Sequence, residues 1–206
     1  MTRLIVRRAA VLGAGVMGAQ IAAHLANGDI PVLLFDLAAP EGNPNGVAEK
    51  ALAGLKKLDP APLAAPDRLA HIEPANYDQH LDRLADCDLV IEAIAEKMEW
   101  KADLYRKIAP HLAPEAILAS NTSGLSIGAL AATVPEARRS RFCGIHFFNP
   151  PRYMPLVEII PTDRTDGAMV DELETWLTSR LGKGVIRAKD TPNFVANRVG
   201  VFSMLA

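Results

Sequence analysis

The sequence predicts an α/β fold: a mostly parallel sheet with helices on both faces, and antiparallel strands added near the C-terminal part. Three features point there. Short apolar runs alternate with segments of helical periodicity through residue 132. A glycine triplet, Gly13, Gly15 and Gly18, joins the first apolar run to the first helical pattern. A proline-rich stretch, NPPRYMP, then separates two later apolar runs that can pair antiparallel.

Ala9 to Leu12 reads as a short buried strand, and Val16, Met17, Ile21 and Leu25 recur at helical spacing until Gly28, a candidate C-cap. Val32 to Phe35 is a second apolar run and delivers Asp36, 18 residues past Gly18. Each glycine has a mechanical reason: Gly13 for the tight turn, Gly15 for backbone approach to a pyrophosphate, Gly18 for close packing of helix on sheet. The helix start, with Val16 and Met17, offers unpaired N–H groups and a positive dipole end to phosphates. Asp36 is placed to accept hydrogen bonds from both hydroxyls of an adenosine ribose. Its charge, and the lack of Arg or Lys from Leu37 to Pro40, favour NAD over NADP.

Asp59 to Gln79, with Pro60, Pro62, Pro66 and Pro74, reads as a long irregular connection holding one short strand around His71 to Glu73. A continuous apolar strand, Asp88 to Ile94, follows. Then come a helix over Lys97 to Leu112, a strand over Ala116 to Ala119 and a short helix over Leu125 to Ala132. Phe142 to Phe147, Leu156 to Ile160, the helix Met169 to Leu181 and the run Val185 to Ala188 extend the sheet. Pro192 favours a last helix start, and Asn197 falls in that helix. The closing NRVGVFSMLA is apolar and uncapped, so it reads as the opening of a further helical domain in a longer protein. Residues 1–190 are then the dinucleotide-binding domain and 191–206 the start of the next.

Composition excludes several function classes. Lys plus Arg number 22 against 24 Asp plus Glu, a formal charge of -2, which gives no case for nucleic acid or an anionic membrane. No apolar run reaches spanning length and no targeting segment precedes the first strand, so a cytoplasmic protein is expected. Cys87 and Cys143 read as buried free thiols, and no tight Cys/His cluster suggests a metal.

Ligands in such folds bind at the carboxyl ends of the parallel strands. Ser120-Asn121-Thr122-Ser123 follows one strand directly and offers hydroxyl and amide groups that can bridge cofactor and substrate, Asn121 and Ser123 above all; the same residues also suit a helix cap. If the two late runs pair antiparallel about Arg152, residues equidistant from it face each other. His146 and Glu158 each lie six residues away. Directly opposed side chains have Cβ atoms about 4.5 to 5.5 Å apart, so the carboxylate can hold one imidazole nitrogen and leave the other as a base. Taken singly, a strand histidine or an edge glutamate is usually structural. Asn197 is an amide that needs a partner.

The combination VLGAGVMGAQIAAHLA, ASNTSGLSI, GIHFFNPPRYMPLVEII and AKDTPNFVANRVG resembles the L-3-hydroxyacyl-CoA dehydrogenase family through essentially the whole chain. Within that family it looks most like the large bacterial enzymes of fatty-acid β-oxidation. The resemblance implies a Rossmann-like NAD-binding domain, an acyl-CoA thioester substrate and a homodimer formed through a C-terminal domain. It further implies His146 and Glu158 as the proton-transfer pair, Ser123 near the substrate oxygen and nicotinamide, and Asn197 as an amide supporting histidine and substrate. Glu96 and Lys101 match positions that contact the cofactor, although Lys101 alone reads as an exposed helix charge. Lys50, Lys56 and Lys57 could meet a CoA phosphate or be merely solvated. Where many family members have glycine, this chain has Asn193. A 3-hydroxyacid or 3-hydroxybutyryl-CoA dehydrogenase, or a non-catalytic dinucleotide-binding module, are the alternatives.

Overall fold

The structure is a computed structural model and describes residues 4–205. Its elements run β1 (Ala9–Leu12), α1 (Val16–Asn27), β2 (Val32–Asp36), α2 (Gly46–Leu55), β3 (Ile72–Asn76), β4 (Leu89–Glu92), α3 (Met98–Ile108) and β5 (Ile117–Ser120). Then follow α4 (Ile127–Thr133), β6 (Phe142–Phe147), β7 (Leu156–Pro161), α5 (Gly167–Leu181), β8 (Gly184–Arg187) and α6 (Ala196–Leu205). All eight strands form one sheet in the order β3-β2-β1-β4-β5-β6-β7-β8.

Strands β1 to β6 are mutually parallel, β7 turns antiparallel to β6, and β8 runs parallel to β7. Both faces are buried, as the unbroken apolar runs require. Val11, Leu34 and Ile91 pack with Ile21 and Leu25 of α1, Leu52 of α2 and Leu177 of α5 on one face. Leu12, Phe35 and Leu118 pack with Leu104 and Ile108 of α3 and Leu130 of α4 on the other. The chain leaves β1 for β2 on one side and β4 is its neighbour on the other, so the crevice for a ligand opens above the carboxyl ends of β1, β2 and β4.

Three local expectations shift. The connection after α2 holds a full edge strand, β3, whose Pro74 pairs with Leu34; an edge position has one side without ladder bonds, which is where a residue lacking an N–H is tolerated. The helix after Lys97 ends at Ile108 and tightens to a 3₁₀ turn over Ala109–His111, because Pro110 cannot continue the α pattern. The last helix begins at Ala196, four residues after Pro192, since Asn193 and Phe194 take left-handed φ values of 64° and 45°. Asparagine tolerates that region better than most residues.

Candidate active site

The glycine turn has the mechanics its sequence demands. Gly13 sits at φ +105°, its N–H donates to Phe35 O at 2.8 Å, and a Cβ there would lie 2.8 Å from Ala93 O. A Cβ on Gly18 would overlap the Gly13 carbonyl oxygen. Gly15, by contrast, faces open space. The first turn of α1 holds no acid, and its first helical bond runs from Ala19 N to Gly15 O at 3.0 Å, which leaves the amides of Val16 and Met17 for a ligand. Asp36 is braced at the crevice, with Oδ2 accepting from Ala14 N at 2.6 Å and Oδ1 from Leu37 N at 2.7 Å. A cavity of about 560 Å³ opens over this turn, lined by Gly13, Gly15, Asp36, Leu37, Ile94 and Trp100 among others. An open cradle at Gly15, free helix amides and a fixed carboxylate fit the phosphates and ribose of NAD. Among the described residues, no group of three or more His, Cys, Asp or Glu side chains could hold a metal ion, and no helix is long and apolar enough to cross a membrane.

The β6–β7 hairpin pairs His146 with Glu158 directly, the register expected from a turn centred on Arg152. Their side chains meet, with Nδ1 2.7 Å from Glu158 Oε2. Glu158 is completely buried, and its other oxygen, Oε1, accepts from the Val195 and Ala196 amides at 2.9 Å each. The carboxylate therefore joins the histidine to the start of α6. His146 is 5% exposed and tilts against Phe148 and Phe194. Its Nε2 has no hydrogen-bond partner among the described residues, nor is it among the fully occluded unpartnered atoms. The buried carboxylate is an acceptor for Nδ1–H, which leaves the Nε2 edge of the ring without a partner among the described residues.

Asn121 sits just past β5, where its N–H donates to Glu92 O at 2.7 Å and its side-chain oxygen accepts from Phe147 N at 2.9 Å. It thereby pins the histidine strand to the cofactor side. Glu96 clamps the same loop: Oε2 accepts from Thr122 Oγ1 at 2.6 Å, and Oε1 from the Ser123 amide at 2.6 Å and its hydroxyl at 3.2 Å. Burial works against its ionisation, but these hydrogen bonds and the Lys101 charge 3.9 Å away outweigh it and hold the carboxyl below its usual range.

Lys101 departs from the exposed helix charge that its sequence position suggests. It is 1% exposed, and Nζ lies 2.5 Å from Glu92 Oε1 at the end of β4. Glu92 Oε1 also accepts from Ile94 N, and its Oε2 accepts from Tyr105 Oη and Ser120 Oγ, each at 2.7 Å. Burial and this carboxylate push the Tyr105 phenol well above its ordinary range. The network ties the ends of β4 and β5 to α3, beneath the loop after β4 that lines the cavity. In this structure Lys101 therefore braces the end of β4 and the loop after it, and does not itself face open space. Glu92 was missed in the sequence; the signal was an acid closing the apolar run Leu89–Ile91, the same arrangement that marked Asp36.

Asn197 lies half-buried in the first turn of α6, two residues past Val195, and its side chain makes no hydrogen bond among the described residues. Asp190 was also missed: it caps α4 by accepting from Ser126 Oγ and the Ile127 and Gly128 amides, tying the segment before α6 to the site loop. Lys50, Lys56 and Lys57 are exposed along and beyond α2, and none of them lines the cofactor cavity. Cys87 and Cys143 are buried free thiols, each pushed up to about 12 by burial.

Residues 8–191 match the family described as 3-hydroxyacyl-CoA dehydrogenase, NAD binding domain. The chain belongs to this family. NAD is accordingly its cofactor. A 3-hydroxyacyl-CoA dehydrogenase of Deinococcus radiodurans is 44% identical over 201 residues, covering 97% of this chain and 58% of that protein. A trifunctional enzyme of the fatty acid oxidation complex from Rickettsia felis is 43% identical over 198 residues, covering 96% of this chain and 28% of its own length. The crystal structure of 3-hydroxybutyryl-CoA dehydrogenase from Escherichia coli superposes with a TM-score of 0.81 at 35% identity, covering 96% of this chain and 41% of that one. The chain thus spans between about a quarter and three fifths of these relatives.

Proposed function

We propose that this chain is the NAD-binding part of an enzyme that oxidises L-3-hydroxyacyl-CoA thioesters to 3-ketoacyl-CoA in fatty-acid β-oxidation. The observation that carries the reading is the His146–Glu158 pair, with one imidazole nitrogen locked on a buried carboxylate and the other unbonded. In this reading Nε2 of His146 removes the proton of the 3-hydroxyl as the carbonyl forms, while Glu158 fixes the tautomer and stabilises the imidazolium. Ser123 and Asn197 hydrogen-bond the substrate oxygen and keep it in line with Nε2. NAD, when bound at the Gly15 turn, supplies the hydride acceptor. Proton transfer by a positioned side chain contributes about 10²- to 10⁴-fold, so the rest of the acceleration comes from holding substrate and cofactor in register.

The E. coli structural relative supports a second reading with the same residues in the same roles, acting on a four-carbon thioester. A second domain beginning at residue 191, a homodimer formed through it, and a cytoplasmic location complete the proposal. The test is NADH oxidation with acetoacetyl-CoA, a long-chain 3-ketoacyl-CoA and free acetoacetate, in wild type and His146→Gln. Turnover of a thioester that His146→Gln abolishes, with NADH binding retained, supports the reading, and the preferred chain length decides between its two forms. Wild-type turnover in His146→Gln refutes the mechanism, and preference for the free acid refutes the substrate class.

A further inference from the structure

Trp100 is 52% exposed, whereas the chain's other tryptophan, Trp176, is buried in the core. Large aromatics left half in water at the mouth of an apolar cavity are characteristic of ligand pockets. Trp100 lies in the first turn of α3, with Asp103, Leu104 and Lys107 three, four and seven residues further on, so the four share one helical face. That face forms one wall of the cavity above the glycine turn.

Part of the remaining lining has assigned tasks. Gly13 and Gly15 belong to the phosphate cradle, and Asp36 is placed for the ribose hydroxyls. The next group along an adenosine is its base, and what remains of the cavity wall is mostly apolar: Leu37, which is 69% exposed, with Ile94, Leu104 and Trp100. Lys97 Nζ stands 4.1 Å over the Trp100 ring and covers one face of the indole. The half-exposed indole lines the cavity, where a flat heteroaromatic ring can pack against it. We propose that Trp100 is the aromatic wall of the adenine compartment, closing over the base of NAD from the α3 side and setting much of the affinity for the adenine half.

The test reads binding, not turnover, and uses the chain as it is. ADP-ribose, which is the cofactor without its nicotinamide ring, is titrated while tryptophan emission is followed, with Trp176 as a constant background. Dissociation constants for ADP-ribose and NADH are then measured by calorimetry in wild type, Trp100→Phe and Trp100→Ala. Stacking predicts a change of emission on adding ADP-ribose to wild type that is absent in Trp100→Phe. It also predicts about tenfold weaker ADP-ribose binding in Trp100→Ala, and affinity within about threefold of wild type in Trp100→Phe. Thermal denaturation of each variant shows whether the fold is intact, and the Phe variant keeps the test decisive if Ala disturbs α3. Wild-type affinity in Trp100→Ala, or equal losses in both variants, overturns the assignment. Failure of wild type to bind NADH or ADP-ribose would refute the cofactor site itself, and the proposal with it.

Discussion

Glu158→Gln is nearly isosteric, yet it should disable the site more thoroughly than outright deletion of the side chain. In the native protein Oε1 accepts two amide N–H groups at 2.9 Å and Oε2 faces His146 Nδ1 at 2.7 Å. A glutamine must place its carbonyl oxygen at one of these positions and its NH₂ at the other. Setting the NH₂ against the Val195 and Ala196 amides forfeits two hydrogen bonds, about 2 kcal/mol or a factor of about 30, so the oxygen stays with α6. The NH₂ then donates to Nδ1 and forces the imidazole proton onto Nε2, the atom proposed to act as base. Loss of the correct tautomer costs about 10³- to 10⁴-fold in turnover.

Glu158→Ala leaves the histidine free to adopt either tautomer, so its turnover should fall less, by about 10²-fold. It leaves two part-buried amides and the histidine without their acceptor, however, at a cost of about 3 kcal/mol. The expected order is thus reversed between the two properties: Gln the more stable, Ala the more active. NADH oxidation with acetoacetyl-CoA gives the turnover, urea denaturation the stability, and ¹⁵N shifts of His146 report the tautomer in this chain directly. A Glu158→Gln protein with Nδ1 still protonated, or with turnover within tenfold of wild type, would refute the tautomer argument.

The two glycine contacts predict opposite phenotypes: Gly18→Ala should lose the fold of the turn, because its Cβ overlaps the Gly13 carbonyl, while Gly15→Ala should melt like wild type and lose only NADH affinity. Thermal denaturation beside NADH fluorescence separates them. Glu92→Gln strands the Lys101 ammonium in a site 1% exposed and should cost about 3 to 5 kcal/mol in urea denaturation, much of it recovered by adding Lys101→Met. His24 is lowered to about 4 by burial, with Lys183 and Arg152 adding to the effect. Its unfolded form therefore binds protons first, and its contribution, full above pH 6.5, falls by about 3 kcal/mol as pH drops toward 4. His24→Leu should flatten that part of the stability–pH curve, and an unchanged slope would exclude His24 as its source.

What could be read from the chain was whatever short-range sterics and strand symmetry determine. Gly13 and Gly18 are constrained by atoms of the same turn and its neighbours, and the facing of His146 and Glu158 follows from counting outward from one hairpin. Lys101 was illegible because the group that neutralises it, Glu92, lies on a different element, and nothing in a helical charge says whether its helix turns it inward. The same holds for the second oxygen of Glu158. A carboxylate buried between strands needs more than one histidine to hold its charge, and its donors come from residues 37 and 38 positions later, at a helix whose start is set by the left-handed Asn193 and Phe194. Asn193→Val, which cannot adopt that φ without strain, should therefore lower turnover while leaving NADH affinity intact, and Asn193→Gly should restore it. Equal activity in both would show that the α6 amides do not position the pair.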